Sequence, residues 1–372
     1  MTLKVLVVDD SALYRQLVKN ILRNIPSVEV VGMACTGVEA LAKIVELQPH
    51  LLTLDVQMPD MNGLELLIEI KKRRMSVKTI MVSGLTARGA QVTTDALLAG
   101  AFDAIQKPNS SDADNNRTVL TSLLAEKISA FLESRNATMP KRNAVAPGAI
   151  STRACEDELG SLKPDLGNRS SISPDGLATR RIDAVVIGTS TGGPVALREL
   201  IPKLPASIGV PIFVVQHMPQ GYTKSLAKRI DEISQIPVRE AAQGMIIETN
   251  RAFIAPGGLH MGIAQQRGKL VIQTSDSPPE HNCRPSVDYT IRSLARVYGG
   301  GLLGVILTGM GRDGTEGCRL IKNLGGSVIA QHPEGCTVYG MPKVVVEERL
   351  ADRVVPIEKM ASWIVRMIEK SR

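Results

Sequence analysis

Short apolar runs rich in Val, Ile and Leu recur along both halves of this chain, and a helical pattern usually follows each of them. The runs lie at 3–8, 28–35, 51–54, 79–82 and 104–106, and again at 182–187, 211–215, 302–307 and 327–330. Unbroken apolar runs are typical of strands buried on both faces, as in parallel sheets covered by helices. We therefore predict two doubly wound α/β domains with mainly parallel sheets, the second carrying an antiparallel addition around 239–273.

The composition changes sharply between the two halves, over residues 136–181. This stretch contains prolines, scattered Ser, Gly and Asn, and no aromatic residue, which is typical of a linker. The chain thus divides into a first domain at 1–135, a linker at 136–181 and a second domain at 182–372. A length of 372 residues suits two domains of ordinary size.

Composition excludes several classes of protein. The five cysteines are an odd number without C-x-x-C spacing, so we expect neither a disulfide framework nor a zinc site. A net charge of +7 arises from 44 basic and 37 acidic residues without a long basic run, so nucleic-acid binding is not expected. No signal-peptide core or membrane-length apolar run is present, which predicts a cytoplasmic protein without membrane insertion.

Polar residues follow the strands of the first half. Asp9, Asp10, Asp55, Ser83 and Lys107 would all lie at the carboxyl edge of the predicted sheet, where ligands bind in such folds. Three converging carboxylates repel one another, and a hard divalent cation such as Mg²⁺ would relieve that repulsion. A carboxylate, a metal and a cationic side chain together suit phosphoryl transfer to carboxylate oxygen. Any one of these residues alone would more simply be a turn or a helix cap.

Residues 1 to about 135 resemble a response-regulator receiver domain, which has a flavodoxin-like fold. The matching motifs are Asp9-Asp10, Leu54-Asp55-Val56-Gln57-Met58-Pro59-Asp60-Met61-Asn62-Gly63, Ser83 and Lys107-Pro108. The resemblance implies that Asp55 accepts a phosphoryl group from a histidine kinase. It also implies that Asp9, Asp10 and Asp55 hold the Mg²⁺ ion together with the carbonyl group of Gln57.

The same resemblance implies that Ser83 and Lys107 respond to the phosphoryl group as a switch. One position departs from the family pattern. The residue three positions before the lysine is usually aromatic in that family, but here it is Ala104, and Phe102 stands at a different offset. The aromatic switch of the family is therefore not expected here in its usual form.

The second half opens on an apolar run that enters Gly188-Thr189-Ser190-Thr191-Gly192-Gly193-Pro194. Small residues on both sides allow a sharp turn that leaves the Ser190 hydroxyl at its tip, beside the amides of a following helix. A dinucleotide site would need G-x-G-x-x-G, but Ser190 takes the place of the middle glycine, and no acidic residue ends the next strand. A phosphate-binding P-loop would need Gly-Lys-Ser/Thr. A nucleophilic serine therefore explains the turn best.

A serine nucleophile needs a base and a carboxylate that orients the base. The histidines are His50, His217, His260, His281 and His332. We favour His217 because it follows the next buried strand, while His260 and His332 also follow strands and remain competitors. Asp313 follows the strand at 302–307 and is the expected orienting carboxylate, although a turn residue is the simpler explanation of Gly-Arg-Asp-Gly. The order Ser, His, Asp differs from that of α/β-hydrolases and indicates another α/β fold.

Residues 182 to about 370 resemble the Rossmann-like catalytic domain of chemotaxis protein-glutamate methylesterases. The matching stretches are 187–193, Gln216-His217-Met218-Pro219, Ala255-Pro256-Gly257-Gly258, Arg284-Pro285-Ser286-Val287-Asp288 and 307–314. The resemblance implies that Ser190 is the nucleophile, His217 the base and Asp313 its orienting group. The amides near Thr191 and Met310 are candidates for stabilising the oxyanion, and no cofactor is expected for the esterase.

Both resemblances together imply a phosphorylation-regulated esterase. Its substrates would be glutamate methyl esters on the cytoplasmic helices of chemoreceptors, and it would also deamidate certain glutamines there. The receiver domain would inhibit the esterase until Asp55 is phosphorylated. Two other functions remain open from the residues alone: a non-enzymatic signalling adaptor, which would not need Ser190, and a general hydrolase of small esters.

Overall fold

The structure, a computed structural model, describes residues 2–84, 86–138 and 180–372. The predicted linker at 136–181 falls almost wholly outside these residues. The elements of the first half are β1 (Leu3–Val8), α1 (Ala12–Arg23), β2 (Val28–Ala34), α2 (Gly37–Leu47), β3 (Leu51–Asp55), α3 (Gly63–Lys72), β4 (Lys78–Ser83), α4 (Ala87–Leu98), β5 (Asp103–Gln106) and α5 (Ala113–Thr138). They alternate strictly between strand and helix, as the apolar runs predict.

The first five strands form one parallel sheet in the order β2-β1-β3-β4-β5. Every residue of β3 is buried, because helices cover both faces of the sheet. Polar side chains set where the helices begin: Ser11, Thr36, Asn62 and Thr86 each accept a hydrogen bond from the first turn of the helix that follows. Because the strands are parallel, their carboxyl ends lie at the same edge of the sheet, where Asp9, Asp55 and Ser83 are found.

A second sheet forms from residue 184 onward. Its elements are β6 (Ala184–Thr189), α6 (Gly193–Leu200), β7 (Ile212–Gln216), α7 (Tyr222–Asp231), β8 (Val238–Glu240), β9 (Ala252–Ile254), β10 (His260–Gln266), β11 (Lys269–Ser275), α8 (Val287–Tyr298), β12 (Leu302–Ile306), α9 (Thr315–Asn323), β13 (Ser327–Gln331), α10 (Met341–Glu347), β14 (Arg353–Val355) and α11 (Ile357–Lys370). Seven strands pair in parallel in the order β14-β13-β12-β6-β7-β9-β8. β6, which leads to Ser190, lies between β12 and β7 at the centre of the sheet.

The antiparallel addition is smaller than the predicted segment 239–273. Among the strands of the described residues, β10 and β11 form the one antiparallel pair, across a two-residue turn in which Arg267 and Gly268 have positive φ, and an isolated antiparallel bridge joins Ile246 to Val271. β8 and β9 instead extend the parallel sheet. β9 is buried throughout, which suits a strand covered on both faces. The parallel pairing of β8 and β9 joins segments that are distant in the chain, so the local sequence pattern does not predict it.

The two α/β domains contact each other directly. α4 of the first domain packs against α6 and α7 of the second, and apolar residues of both domains form one continuous core cluster. The guanidinium of Arg229 donates to both carboxylate oxygens of Asp95 across this interface, at 2.7 and 2.8 Å. Arg198 donates to the carbonyl oxygen of Leu98 at 2.6 Å. Paired arginine contacts of this kind fix the relative orientation of the two surfaces as well as holding them together.

Candidate active site

The Ser190 turn adopts the sharp bend that its glycines predict. Gly192 has a φ of 81°, and a side chain there would lie 2.3 Å from the hydroxyl oxygen of Thr337. A Cβ atom on Gly193, the first residue of α6, would lie 1.9 Å from the amide oxygen of Gln216. Both positions therefore require glycine. Ser190 itself is only 6% exposed, so the turn holds a mostly buried hydroxyl at the end of the central strand.

Gln216 connects this turn to the neighbouring strand. Its side-chain amide donates to the carbonyl oxygens of Ser190 at 2.9 Å and His217 at 3.2 Å. The amide of His217 donates in turn to the carbonyl oxygen of Thr189 at 3.1 Å. These bonds fix the ends of β6 and β7 relative to each other, and with them the serine and the imidazole.

The structure brings His217 and Asp313 together, as the strand ends predict. Nε2 of His217 lies 2.8 Å from Oδ2 of Asp313, although the two residues are 96 positions apart. The contact forms because β7 and β12 flank β6, so their carboxyl ends lie beside the Ser190 turn. With Nε2 directed at a carboxylate, the free electron pair of the neutral ring is on Nδ1.

Asp313 sits on the N-terminus of α8. Its carboxylate accepts hydrogen bonds from the amides of Val287 at 2.7 Å and Asp288 at 3.0 Å, and from the hydroxyl of Ser286 at 2.9 Å. Ser286 is also the N-cap residue of that helix. Amides at a helix N-terminus stabilise negative charge, so the carboxylate that faces His217 is held both ionised and fixed in orientation.

Electrostatic coupling shifts the pKa values of both His217 and Asp313. Burial opposes charging of the imidazole, but the hydrogen bond that it donates to Asp313 and the contact with Cys283 outweigh burial and raise the pKa of His217 well above its usual value. Burial also opposes ionisation of Asp313, yet the imidazole and the α8 amides hold the pKa of its carboxyl below the usual range. The imidazole must be neutral to act as a base, so the rate of the reaction should rise with pH.

The pKa of a neighbouring carboxyl group, that of Asp288, shifts in the opposite direction to the pKa of Asp313. Burial first, and then the charge of Asp313, raise the pKa of Asp288 above its usual value. Its Oδ1 accepts a 2.6 Å hydrogen bond from the amide of Gly317, and Nε2 of His281 lies 3.2 Å from its Oδ2. Oxygen and nitrogen atoms of His281, Asp288 and Asp313 lie within 4.8 Å of one another. Asp313 already contacts His217 and the amides at the N-terminus of α8.

Ser190 and His217 line one cavity of about 550 Å³ together with Cys283, His281 and Met310. Among the hydrogen bonds of the described residues, none joins the Ser190 hydroxyl to the imidazole. Sγ of Cys283 lies 3.4 Å from Nδ1 of His217, the nitrogen that a serine nucleophile would use. Contacts between nucleophile and base are often long without substrate. The serine must therefore compete with this thiol for the imidazole.

The competing histidines have other roles. His260 is fully buried, stacks on Tyr289 and accepts a hydrogen bond from the amide of Ser286 at 3.2 Å. His332 caps a short 3₁₀ turn at Glu334, and His50 accepts from the amide of Lys4 in the first domain. Of the five imidazoles, only His217 and His281 line the cavity of Ser190, and only His217 contacts Asp313 within hydrogen-bonding distance.

Of the two residues whose amides are candidates for the oxyanion, Met310 lines the cavity and Thr191 lies beside it, next to Ser190 in the chain. In the described part of the chain, the amides of Thr191 and Met310 donate to no other group, so they are free to bind a ligand. The neighbouring Gly309 is close enough to Ser190 that a Cβ atom there would lie 2.9 Å from the serine Cβ. The segment 309–310 thus lies so close to the serine that a side chain at position 309 would not fit.

The polar strand ends of the first domain also converge. Nζ of Lys107 lies 2.7 Å from Oδ2 of Asp9 and 3.0 Å from Oδ2 of Asp55. The ammonium group lies 4.3 Å from the centre of the Tyr14 ring. Burial first, opposed by the charge of Lys107, raises the pKa of Asp55. Oxygen atoms of Asp9, Asp10 and Asp55 lie within 4.8 Å of one another, which suits a cation that takes oxygen ligands. Gln57 lies on the exposed loop after β3.

The first domain closes one side of the cavity. The wall opposite Ser190 comes from β5, the loop after it and α5, and includes Asp103, Ala104, Lys107 and Lys127. The carboxylate of Asp103 accepts a hydrogen bond from the hydroxyl of Thr191, and it pairs with Lys127 at 3.2 Å. A residue of the first domain therefore touches the residue next to the candidate nucleophile.

Several residues of this site were not predicted from sequence as functional. Cys283 and Ser286 lie in or beside the Arg-Pro-Ser-Val-Asp stretch, which is a matching motif to which the resemblance assigns no role. Ser286 could have been recognised as an N-cap, because a serine precedes the helical pattern of 287–298. No sequence signal connects Cys283 to His217, since a loop 66 positions away brings the thiol to the ring.

Comparison with known proteins assigns a family to each of the two domains. The family model described as response regulator receiver domain matches residues 5–116, and the one described as CheB methylesterase matches residues 185–364. Together with the two parallel sheets, these matches define a response regulator with an enzymatic output domain.

Full-length relatives cover both domains. A protein-glutamate methylesterase/protein-glutamine glutaminase from Trichodesmium erythraeum is 40% identical over 366 residues, which is 98% of this chain and 99% of the relative. One of the same name from Thermotoga maritima is also 40% identical, covering 98% of each chain. The present chain therefore belongs to the protein-glutamate methylesterase/protein-glutamine glutaminase family.

Solved structures match each domain separately. The CheB methylesterase catalytic domain of Thermotoga maritima is 46% identical and covers 50% of this chain and 98% of its own length, with a TM-score of 0.49. The response regulator domain of the same organism's CheB is 43% identical, covering 35% of this chain and 96% of its own, with a TM-score of 0.32. Within the described residues, no helix combines the length and apolar character needed to span a membrane.

Proposed function

We propose that this protein hydrolyses glutamate methyl esters on the cytoplasmic helices of chemoreceptors, deamidates specific glutamines there, and is activated by phosphorylation. The observation that carries the proposal is the 2.8 Å contact between His217 and Asp313 at the cavity that also holds Ser190. The relatives that match over nearly the whole chain carry both activities in their names. A buried serine, an imidazole and a fixed carboxylate are the groups that such acyl transfer needs.

The proposed mechanism is acyl transfer to Ser190. Nδ1 of His217 takes the hydroxyl proton as the serine oxygen attacks the ester carbonyl carbon. The amides of Thr191 and Met310 stabilise the oxyanion, and His217 then returns the proton to the departing methanol. Water hydrolyses the resulting acyl-enzyme by the same proton transfers. Deamidation of glutamine follows the same steps, with ammonia in place of methanol.

Asp55 is the proposed phosphoryl acceptor, and a histidine kinase is the proposed donor. The carboxylates of Asp9, Asp10 and Asp55 form an oxygen-only set that fits Mg²⁺, with the Gln57 carbonyl as a further ligand. When bound, the ion would offset negative charge on the phosphoryl oxygens. Lys107 is already within 3.0 Å of Asp55 and is placed to contact the new phosphoryl group, while Ser83 lies at the end of the adjacent strand.

The proposed control is coverage of the catalytic cavity by the receiver domain. The wall formed by β5 and α5 faces Ser190 across the cavity and Asp103 contacts Thr191, so a bulky helical substrate would have to displace the receiver domain. Phosphorylation would shift the population towards a separated state of the two domains. A shift of about 1.4 kcal/mol in this equilibrium changes the open population about tenfold when the closed state dominates.

Removal of residues 1–180 tests coverage. We expect the fragment 181–372 to release methanol from methylated receptor membranes roughly tenfold or more faster than the unphosphorylated full chain, because its cavity is open. Methanol release is measured for both proteins at equal concentration, and circular dichroism verifies that the fragment is folded. A folded fragment that is no faster than the whole chain would show that coverage does not inhibit the enzyme.

Replacement of Asp55 by asparagine tests the phosphoryl acceptor. We expect the variant to keep its basal methanol release but to lose stimulation by acetyl phosphate and Mg²⁺, because an amide cannot accept the phosphoryl group. Asp60→Asn is the matched control, since Asp60 lies on the loop that follows β3 and faces solvent. Equal stimulation of Asp55→Asn and Asp60→Asn would place the acceptor elsewhere.

A further inference from the structure

One residue of the hydrolase domain reaches the switch region of the receiver domain. Tyr222, the first residue of α7, is only 1% exposed and packs in the core cluster shared by the two domains. Its hydroxyl faces the hydroxyls of Ser83 and Thr93 in the receiver domain. Although burial raises the pKa of this hydroxyl and Ser83 and Thr93 lie close enough to lower it, neither the Tyr222 nor the Thr93 hydroxyl has a hydrogen bond of normal length and angle to a described group. Buried hydroxyls normally have partners, so this pair is an exception that calls for an explanation.

The unpaired hydroxyls lie beside the phosphorylation pocket. Ser83 ends β4, next to the strand that carries Asp55, and the carbonyl of Ser83 accepts from the amide of Lys107 at 2.7 Å. The Ser83 hydroxyl is weakly held, since its hydrogen bond to the carbonyl oxygen of Gly84 is 3.3 Å long. Ala104 on β5 contributes only a methyl group to the cavity that Tyr222 also lines. Among the described residues that line this cavity, Tyr222 is the one tyrosine, and no phenylalanine or tryptophan is present.

Tyr222 is also connected to the catalytic base. The segment from His217 to Gly221 joins β7 to α7, and the amide of Tyr222 bonds to the carbonyl oxygen of Pro219 at 3.3 Å. A Cβ atom on Gly257 would lie 2.2 Å from that same carbonyl oxygen, so the segment is closely packed against its neighbour. A displacement of Tyr222 would therefore act on a closely packed segment that begins at the imidazole, five positions away.

We propose that Tyr222 senses phosphorylation of Asp55 for the hydrolase domain, through the Ser83 and Thr93 hydroxyls that it faces. In the closed state the unpaired hydroxyls weaken the interface, because they have lost water without gaining a partner. When Ser83 turns towards the phosphoryl group, the contact surface of Tyr222 changes and α7 separates from α4. The inference rests on the proposed regulation and names the residue that carries it.

The test is the conservative variant Tyr222→Phe in the full chain. Phenylalanine keeps the ring but removes the unpaired hydroxyl, so the closed interface becomes more stable. We expect stimulation of methanol release by acetyl phosphate to fall at least threefold relative to the unmodified protein. Tyr222→Ala removes the ring as well, and should raise the unphosphorylated rate at least threefold by loosening the interface.

Tyr298→Phe is the matched control, because Tyr298 is a partly buried tyrosine of α8 that packs within the hydrolase domain. It should leave stimulation unchanged. Each Tyr222 variant is also measured with Asp55→Asn in the same chain, where the effect of Tyr222→Phe on stimulation should disappear. If the unmodified protein is stimulated and Tyr222→Phe is stimulated equally, the sensing role is refuted while the proposed function stands. If the unmodified protein is not stimulated at all, both the regulation and this role are refuted.

Discussion

Replacement of Ser190 by alanine is expected to reduce methanol release from methylated receptor by about 10⁴-fold or more, because the acyl-enzyme cannot form. The imidazole and its carboxylate remain in place, since neither depends on the serine side chain for a hydrogen bond. Alanine also fits the turn, where the adjoining glycines carry the strained geometry. Methanol release is measured over hours, together with thermal unfolding to show that the variant is folded.

Cys283→Ala is the decisive companion, because the thiol is the other nucleophilic atom at the cavity and contacts Nδ1 of His217 at 3.4 Å. We expect this variant to keep activity within a few-fold of the unmodified protein, since it only removes a competitor for the imidazole. The reverse pattern, in which Cys283→Ala is inactive and Ser190→Ala is active, would make the thiol the nucleophile. If Ser190→Ala kept full signalling output in cells, the non-enzymatic adaptor would be favoured instead.

Local sequence determined most of the elements. The turn at Ser190 and the strand ends at Asp9, Asp55 and Ser83 follow from apolar runs, glycines and capping residues, which act over a few positions. The bounds of α2, Gly37–Leu47, also follow from neighbouring residues, because Thr36 caps the helix and Gln48 adopts a left-handed conformation at its end. Local forces fix these features before any distant contact forms.

Strand order was not available from the sequence. The choice of His217 over His260 and His332 depended on which strands neighbour β6, and only the observed order places β7 and β12 on its two sides. The same limit explains the misplaced start of the antiparallel segment, because β8 and β9 gain their partners from the parallel sheet. Pairing between distant strands depends on the whole core and leaves little trace in a short window.

The residues of the interface between the two domains could not be predicted from the sequence either. Arg229 and Asp95 lie 134 positions apart and look like ordinary surface charges in the sequence. Tyr222 reads as a buried residue of an amphipathic helix, although its hydroxyl faces another domain. Regulation by coverage was predicted from the resemblance of the two halves to known families, and the contact residues became identifiable only from the structure.

Replacement of Asp313 by asparagine should lower the turnover number by about 10⁴-fold and shift the acid limb of the pH–rate profile to lower pH. Asp313 stabilises the charged imidazole and so raises the pKa of His217. Without that negative charge the imidazole loses its proton at lower pH, so the base becomes neutral under more acidic conditions. The rate still falls, because the amide presents the wrong group to Nε2 and leaves the imidazolium unstabilised during the reaction.

The measurement is the pH dependence of methanol release for the unmodified protein and the variant, with phosphodonor present so that coverage does not mask the chemistry. Asp352→Asn is the matched control, because that carboxylate pairs with Lys322 and the amide of Val328 and does not line the catalytic cavity. It should leave the acid limb in place even if it lowers the unfolding temperature. An acid limb that stays fixed in Asp313→Asn would mean that the titrating base is not His217, and His281 would then be the next imidazole to replace.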